Sequence, residues 1–230
     1  MNSSTTTTQN QTSSSSSSEV DKALGQTDFG AWIAENKTPV LSAVALIIVG
    51  IFGYGIYNNM KTEKENKYAS ALHALVSENI KPFNEGKLSA DKFTEDFKTT
   101  WQPMGSFEGA APYLLEVTNA LSAKGNNQKA YELITMALER TSNPQLNYFY
   151  GIRAATMAED LNKPGEAIDH LTKVLGGGAK YMEGKIYLDL GRLYRATGDS
   201  EKAKSSFEYV IEKGKEAEFK KMARLYLEEL

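Results

Sequence analysis

Residues 187–207 read YLDLGRLYRATGDSEKAKSSF, a stretch in which Gly198 separates two amphipathic helical patterns. Glycine readily adopts the left-handed conformation that a tight turn between two helices requires. The apolar and small residues at helical spacing are Tyr187, Leu190, Gly191 and Tyr194 before the turn, and Ala203 and Phe207 after it. The stretch therefore predicts a helical hairpin in which small residues let the two helices approach closely.

The same pattern occurs twice more upstream, so the chain contains an internal repeat. It can be anchored on Ala130, Ala167 and Ala203, which are 37 and 36 residues apart. Five residues before each anchor stands a residue suited to the turn: Gly125, Asn162 and Gly198. Four residues after each anchor stands a large apolar residue: Ile134, Leu171 and Phe207. We therefore predict three consecutive helical hairpins.

This pattern resembles the tetratricopeptide repeat, and the copy around Gly198 matches it best. The other two copies are degenerate, and the spacing is slightly longer than the usual 34 residues. The resemblance implies an all-α fold, a right-handed solenoid of helical hairpins occupying residues 61–230. Residues 61–102 are predicted to form a fourth, more diverged hairpin, and the helix that ends at Leu230 is predicted to cap the stack.

Residues 38–60 carry no charge and lie between Lys37 and Lys61. About 20 apolar residues are enough to cross the hydrocarbon core of a bilayer, so we predict a single transmembrane anchor here. A buried core helix is the alternative, but such helices are normally shorter and keep a polar stripe. Tyr54 and Tyr57 stand near one end, where aromatic side chains favour the membrane interface.

The N-terminal region divides into two further segments. Residues 1–27 begin with a tract drawn from Asn, Ser, Thr and Gln, which predicts a disordered tail and linker. Residues 28–37 place Phe29 and Trp32 at helical spacing, which predicts a short helix at the membrane interface. A solvated linker with incidental aromatic residues is the alternative for the second segment.

Composition and motifs argue against catalysis, metal binding and nucleic-acid binding. A formal net charge of −3 disfavours nucleic acid as a partner, and the absence of cysteine excludes disulfides, thiolate zinc sites and thiol catalysis. The two histidines, His73 and His170, lie in different repeat units, and a lone histidine on a helix is usually structural. We therefore predict no catalytic residue, no metal, no cofactor and no small-molecule substrate, and a chain that is not an enzyme.

The remaining candidate function is binding to proteins. The binding surface would be the groove lined by the first helices of such hairpins. The mixture of aliphatic, aromatic and basic side chains suits an extended or helical peptide, although these side chains could also be merely exposed. Only Asn119 and Lys185 match the clamp with which some of these proteins hold a terminal carboxylate, so that mode is disfavoured. The predicted groove residues are Leu115, Asn119, Phe149, Ile152, Thr156, Glu159, Leu188, Arg192 and Arg195.

The segment Trp32-Ile33-Ala34-Glu35-Asn36, placed just before a single N-terminal span and a short run of degenerate repeats, resembles the YfgM family. The resemblance implies a protein of the bacterial inner membrane with a short cytoplasmic N-terminus and a periplasmic repeat domain. It further implies an ancillary subunit of the SecYEG translocon that works with a membrane-anchored periplasmic chaperone of the PpiD type.

Two features depart from that family, namely the Ser/Thr-rich tail and the charges beside the span. Two lysines precede the span (Lys22, Lys37) and three follow it (Lys61, Lys64, Lys67), which leans toward a cytoplasmic repeat domain. Three functions therefore stay open: a periplasmic scaffold near the translocon, a cytoplasm-facing adaptor that recruits soluble proteins, and a structural subunit of an envelope complex.

Overall fold

A computed structural model describes residues 28–177 and 181–230, and within these ranges the chain forms helices and no strand. Short 3-10 turns at Gln102–Met104 and Glu108–Ala110 join the third helix to the fourth. The predicted disordered tail, residues 1–27, lies outside the described residues. The helices are α1 (Asp28–Glu35), α2 (Lys37–Asn84), α3 (Ala90–Trp101), α4 (Ala111–Ala123), α5 (Asn127–Arg140), α6 (Pro144–Asp160), α7 (Pro164–Gly176), α8 (Glu183–Ala196), α9 (Ser200–Lys213) and α10 (Ala217–Glu228).

The chain divides into two compact units, Met1–Thr62 and Glu63–Leu230. In the first unit, α1 ends at Glu35 and α2 begins two residues later. The large apolar side chains of α2 from Leu41 to Met60 are exposed.

Pro82 does not end the helix, because α2 continues to Asn84. Pro82 lies in the last turn, where its carbonyl accepts hydrogen bonds from the N–H groups of Lys87 and Leu88 at 2.8 and 3.2 Å. The chain leaves the helix at Gly86, which has a φ of 75°. Ser89 then caps α3 by accepting a hydrogen bond from the Lys92 N–H.

In its described residues, 63–177 and 181–230, the second unit contains four helical hairpins that share one turn geometry. Gly86, Gly125, Asn162 and Gly198 all have a positive φ. In the last of these turns the Asp199 N–H bonds to the Tyr194 carbonyl at 2.9 Å, and the equivalent bond recurs in the others. The predicted turn residues are confirmed, and residues 63–101 supply the fourth hairpin.

The predicted repeat register is also confirmed. Ala130, Ala167 and Ala203 are all fully buried where the two helices of each hairpin cross. In the last hairpin α8 approaches α9 so closely that a Cβ at Gly191 would overlap the Phe207 ring. Successive hairpins pack α5 against α6 and α7 against α8, and one cluster of buried residues extends from Leu72 to Leu193. A second cluster holds Leu188, Ala203, Phe207, Val210 and Ala223.

The capping helix α10 covers the end of the stack as predicted, packing on both α8 and α9. Ala223 is fully buried in a cluster that also holds Phe207, and the Tyr226 ring packs against the Phe207 ring at a tilt of 42°, with the centroids 5.4 Å apart. Met222, four residues before Tyr226 on the same helix, nevertheless remains 42% exposed. The apolar face of α10 is therefore narrower than the sequence indicates.

Candidate partner-binding groove

The first helices of the last two hairpins, α6 and α8, border two open cavities of about 430 and 230 Å³. Ile152, Thr156, Lys185 and Asp189 line both, so the two cavities form one groove. The first cavity is also lined by Tyr148, Phe149, Arg153, Met182 and Ile186, and the second by Ala155, Glu159, Leu171, Arg192 and Leu193. We call this surface the α6/α8 groove.

One end of the α6/α8 groove is apolar. Phe149 on α6 is 44% exposed, and Met182, the residue before α8, is 51% exposed. Ile186 is buried and forms the floor beneath them. Large apolar side chains that stay exposed beside a cavity are available to a partner, and removing them from water on binding is favourable.

The other end is polar, and its charges are paired within the protein. The Arg192 guanidinium makes a bidentate contact with the Glu159 carboxylate, in which the Nη2–Oε2 distance is 2.7 Å. This hydrogen bond lowers the pKa of Glu159 below its usual value. Lys185 Nζ lies 2.6 Å from Asp189 Oδ2 on the same helix. Arg153 at the apolar end donates a hydrogen bond to the neutral Asn119 side chain, so it is the charged lining residue without an ion-pair partner among those described.

Five of the nine predicted groove residues line this surface: Phe149, Ile152, Thr156, Glu159 and Arg192. The structure does not bring the other four into it. On α4, Leu115 is half-buried and lines neither cavity, and Asn119 also lines neither but accepts a hydrogen bond from Arg153, which lines the first.

Leu188 and Arg195 also lie elsewhere, because they face the capping helix. Leu188 is only 5% exposed and belongs to the cluster around Ala223. The Arg195 guanidinium bonds to Glu229 at 2.7 Å and lies over the Tyr226 ring, 4.9 Å from its centroid. The predictions for Leu188 and Arg195 assume that a given repeat position faces an open groove in every hairpin. After the last hairpin the next helix is α10, which covers both residues.

Sequence reasoning missed Met182, Lys185 and Asp189, which face α6 from α8. Lys185 and Asp189 stand at i and i+4 on α8, so helical spacing places these two on one face, and Met182 precedes the helix with a φ of 50°. The repeat alignment instead favoured a face centred on Leu188. The signal that distinguishes the two faces is the apolar face of α10, which needs Leu188 as its partner.

Neither histidine lies in the groove. The His170 Nε2 is 2.8 Å from the Tyr131 hydroxyl, which donates a hydrogen bond to Glu166 at 2.7 Å. Burial lowers the pKa of His170. The His73 ring packs edge-on against Tyr113. Among residues 28–177 and 181–230, no group of three or more His, Cys, Asp or Glu side chains could hold a metal ion.

The residues predicted at a membrane interface lie in the first unit. Trp32 in α1 and both Tyr54 and Tyr57 in α2 are exposed, and Phe29 belongs to α1. Among the described residues, α2 is the one helix long and apolar enough to cross a membrane by length and composition.

An all-helical solenoid of hairpins with an apolar groove between first helices defines a helical-repeat protein. The chain belongs to the tetratricopeptide repeat-like domain family, whose profile matches residues 30–230. Repeat domains of this type are typically scaffolds for protein interactions without catalytic activity. No curated protein sequence matches the chain.

Solved structures with a similar arrangement of helices include a tetratricopeptide repeat protein from Parabacteroides merdae, with 18% identity and a TM-score of 0.46. The match covers 69% of this chain and 59% of that protein. A crystal structure of MamA is 19% identical over 57% of this chain and 71% of its own, with a TM-score of 0.38. An AMB-1 crystal form of MamA is 17% identical, covering 71% and 97% of the two chains, also with a TM-score of 0.38.

Proposed function

We propose that this chain is a membrane-anchored scaffold that holds a protein partner in the α6/α8 groove. The observation that carries the proposal is the apolar end of the groove, where Phe149 and Met182 remain exposed beside a cavity of about 430 Å³. Aromatic and methionine side chains are enriched in the cores of protein interfaces. The family assignment supports a protein partner over a small molecule.

The anchor in this proposal is residues 38–60, with residues 28–37 at the membrane interface and residues 61–230 as the repeat domain. The absence of charge in 38–60 and the exposure of its apolar side chains support this division, because an exposed apolar surface of this length is stable in lipid. Phe29 and Trp32 before the span, and Tyr54 and Tyr57 near its end, suit the two interfaces.

For the location, we propose the bacterial inner membrane with the repeat domain in the periplasm, beside the Sec translocon and a chaperone of the PpiD type. Only the resemblance of residues 32–36 and the order of segments to the YfgM family supports this choice. A second candidate is a cytoplasm-facing adaptor, which the lysine count beside the span favours by one residue.

Orientation can be tested directly because the chain contains no cysteine. In Leu230→Cys, a membrane-impermeant thiol reagent should label intact cells. The matched control, Ser15→Cys in the N-terminal tail, should be labelled only after lysis. Labelling of the control alone in intact cells would reverse the orientation and favour the adaptor.

The groove is tested by Phe149→Asp, compared with Met222→Asp on the capping helix. The two side chains are similarly exposed, at 44% and 42%, but only Phe149 lines the groove. We expect Phe149→Asp to reduce co-purification of the partner from membranes at least about tenfold, a loss of 1.4 kcal/mol or more. The control should retain the partner. Equal recovery with both variants would show that the groove is not the binding surface.

A further inference from the structure

We propose that the partner segment held in the α6/α8 groove carries an acidic side chain, which pairs with Arg153, close to a bulky apolar side chain, which packs against Phe149. This inference rests on the function proposed above and adds the chemistry of the partner. Three observations carry it: the unpaired charge of Arg153, the incomplete hydrogen bonding of its guanidinium, and its position one helical turn from Phe149.

Arg153 gives the groove a positive charge that the protein does not neutralise. The other charged lining residues form two ion pairs, Glu159–Arg192 and Lys185–Asp189. Arg153 has no carboxylate partner among the described residues, although the chain as a whole carries a formal net charge of −3. A lone positive group in a binding groove selects partners of complementary, negative charge.

The Arg153 guanidinium also has hydrogen-bond donors to spare. A guanidinium offers five N–H donors. The Nη2 group of Arg153 donates to the neutral Asn119 side chain, and the buried Nε has no acceptor among the described residues. Leaving a buried donor without a partner is unfavourable, and more so when the donor is charged. A carboxylate that enters from the cavity neutralises the guanidinium and accepts its remaining hydrogen bonds, in the planar arrangement that arginine and carboxylate groups favour.

The apolar part of the proposal follows from the neighbour of Arg153. Phe149 and Arg153 stand at i and i+4 on α6, so they share one face with their Cβ atoms about 5–6 Å apart. Both line the cavity of about 430 Å³, and Phe149 is 44% exposed. A partner therefore meets an apolar and a cationic group together. Its own acidic and apolar side chains should be two to four residues apart, the spacings that share a face on a strand or a helix.

The acidic group belongs to an internal residue of the partner and not to a chain end. Along α6 the lining residues continue on both sides of Arg153, from Phe149 to Glu159, so a segment that fills the groove runs past Arg153. Chain ends are captured by converging backbone N–H groups. Arg153 lies in the interior of α6, where the backbone N–H groups are used within the helix.

The test uses the full chain in lipid nanodiscs and a displayed library of random 12-residue peptides fused at both ends, so that no terminal carboxylate is present. Empty nanodiscs remove peptides that bind lipid. We expect the selected peptides to carry Asp or Glu two to four residues from a bulky apolar residue. A selected peptide with blocked ends is then titrated by fluorescence anisotropy. Replacing its acidic residue with the corresponding amide should weaken binding at least about tenfold, and added salt should reduce this difference.

Arg153→Met should abolish the preference for the acidic peptide over its amide version. The matched control is Arg224→Met, which removes an exposed arginine on α10 and should keep the preference. Circular dichroism checks that both variants are folded, and the comparison of the two peptides on the wild type does not depend on either variant.

Selected peptides without acidic residues, or equal affinity of the acidic and amide peptides, overturn the inference. It is also overturned if no peptide is selected, if the preference survives in folded Arg153→Met, or if a second library with free C-termini shows that only a terminal carboxylate is bound. The proposed function fails separately, if Phe149→Asp leaves capture of the native partner unchanged.

Discussion

The space between α6 and α8 and the space between α8 and α10 are bordered by equivalent repeat positions, but the first interval is open and the second is filled. Ile152 on α6 and the equivalent Leu188 on α8 are 36 residues apart in sequence. Ile152 is half-buried and lines the groove, whereas Leu188 is buried against the cluster around Ala223. The first interval is open to a partner, and the second is closed by the chain itself.

Both intervals are also bridged by an ion pair, with the order of charges reversed. Glu159 on α6 pairs with Arg192 on α8, and Arg195 on α8 pairs with Glu229, which follows α10. The two intervals differ in their apolar contacts. In the α8/α10 interval, Tyr226 of the capping helix packs under the Arg195 guanidinium. The neighbouring helix therefore decides whether a repeat position is a core residue or a binding residue.

The largest effect on the closed interval is expected from Ala203→Glu. Ala203 is fully buried in the cluster that holds α8, α9 and α10 together, so the carboxylate would be buried without a partner. We expect a loss of about 3–5 kcal/mol in the free energy of unfolding, with α10 released. Ser205→Glu, on the exposed side of the same helix, is the control and should change stability little. Denaturant unfolding followed by circular dichroism measures both, and equal stability of the two variants would contradict the repeat register.

The next effect separates the two intervals directly. Leu188→Ala removes a buried side chain and should cost about 3 kcal/mol, while Ile152→Ala removes a half-buried one and should cost roughly 1 kcal/mol. For partner capture we expect the reverse order, because only Ile152 lines the groove. Unfolding and co-purification should be measured on the same preparations. A loss of capture in a stably folded Leu188→Ala protein would show that the second interval is not closed.

A smaller loss of stability is expected from a change where α8 crosses α9. Gly191→Ala should cost about 1–3 kcal/mol, because the new methyl group overlaps the buried Phe207 ring. The α6/α7 hairpin has Ala155 and Leu171 at the positions equivalent to Gly191 and Phe207. We therefore expect Gly191→Ala combined with Phe207→Leu to be more stable than the sum of the two single changes predicts. Strict additivity in this double-mutant cycle would show that the two residues do not limit each other.

The sequence predicts the interior of each hairpin well and the surface between hairpins poorly. The turn at Asn162 and the buried position of Ala167 follow from local spacing and backbone preference, which act within a few residues. The Glu159–Arg192 pair joins residues 33 positions apart, and its formation depends on how successive hairpins stack. The fate of Leu188 depends on α10, so spacing within one repeat could not distinguish it from Ile152.

The smallest effect is expected at the ion pair that borders the groove. Both side chains of the Glu159–Arg192 pair remain more than a third exposed, so Glu159→Gln should cost less than about 1 kcal/mol. Because Arg192 lowers the pKa of Glu159 in the folded chain, this contribution is present above the ordinary pKa of about 4.3 and is lost as the pH falls through the lower folded value. The difference in unfolding free energy between the wild type and Glu159→Gln should therefore be constant near neutral pH and shrink below about pH 4. Glu212→Gln, on the exposed side of α9, supplies the baseline. A difference in unfolding free energy of several kcal/mol that remains at acidic pH would contradict this prediction. It would mean that Glu159 stabilises the border of the α6/α8 groove through packing and not through its charge.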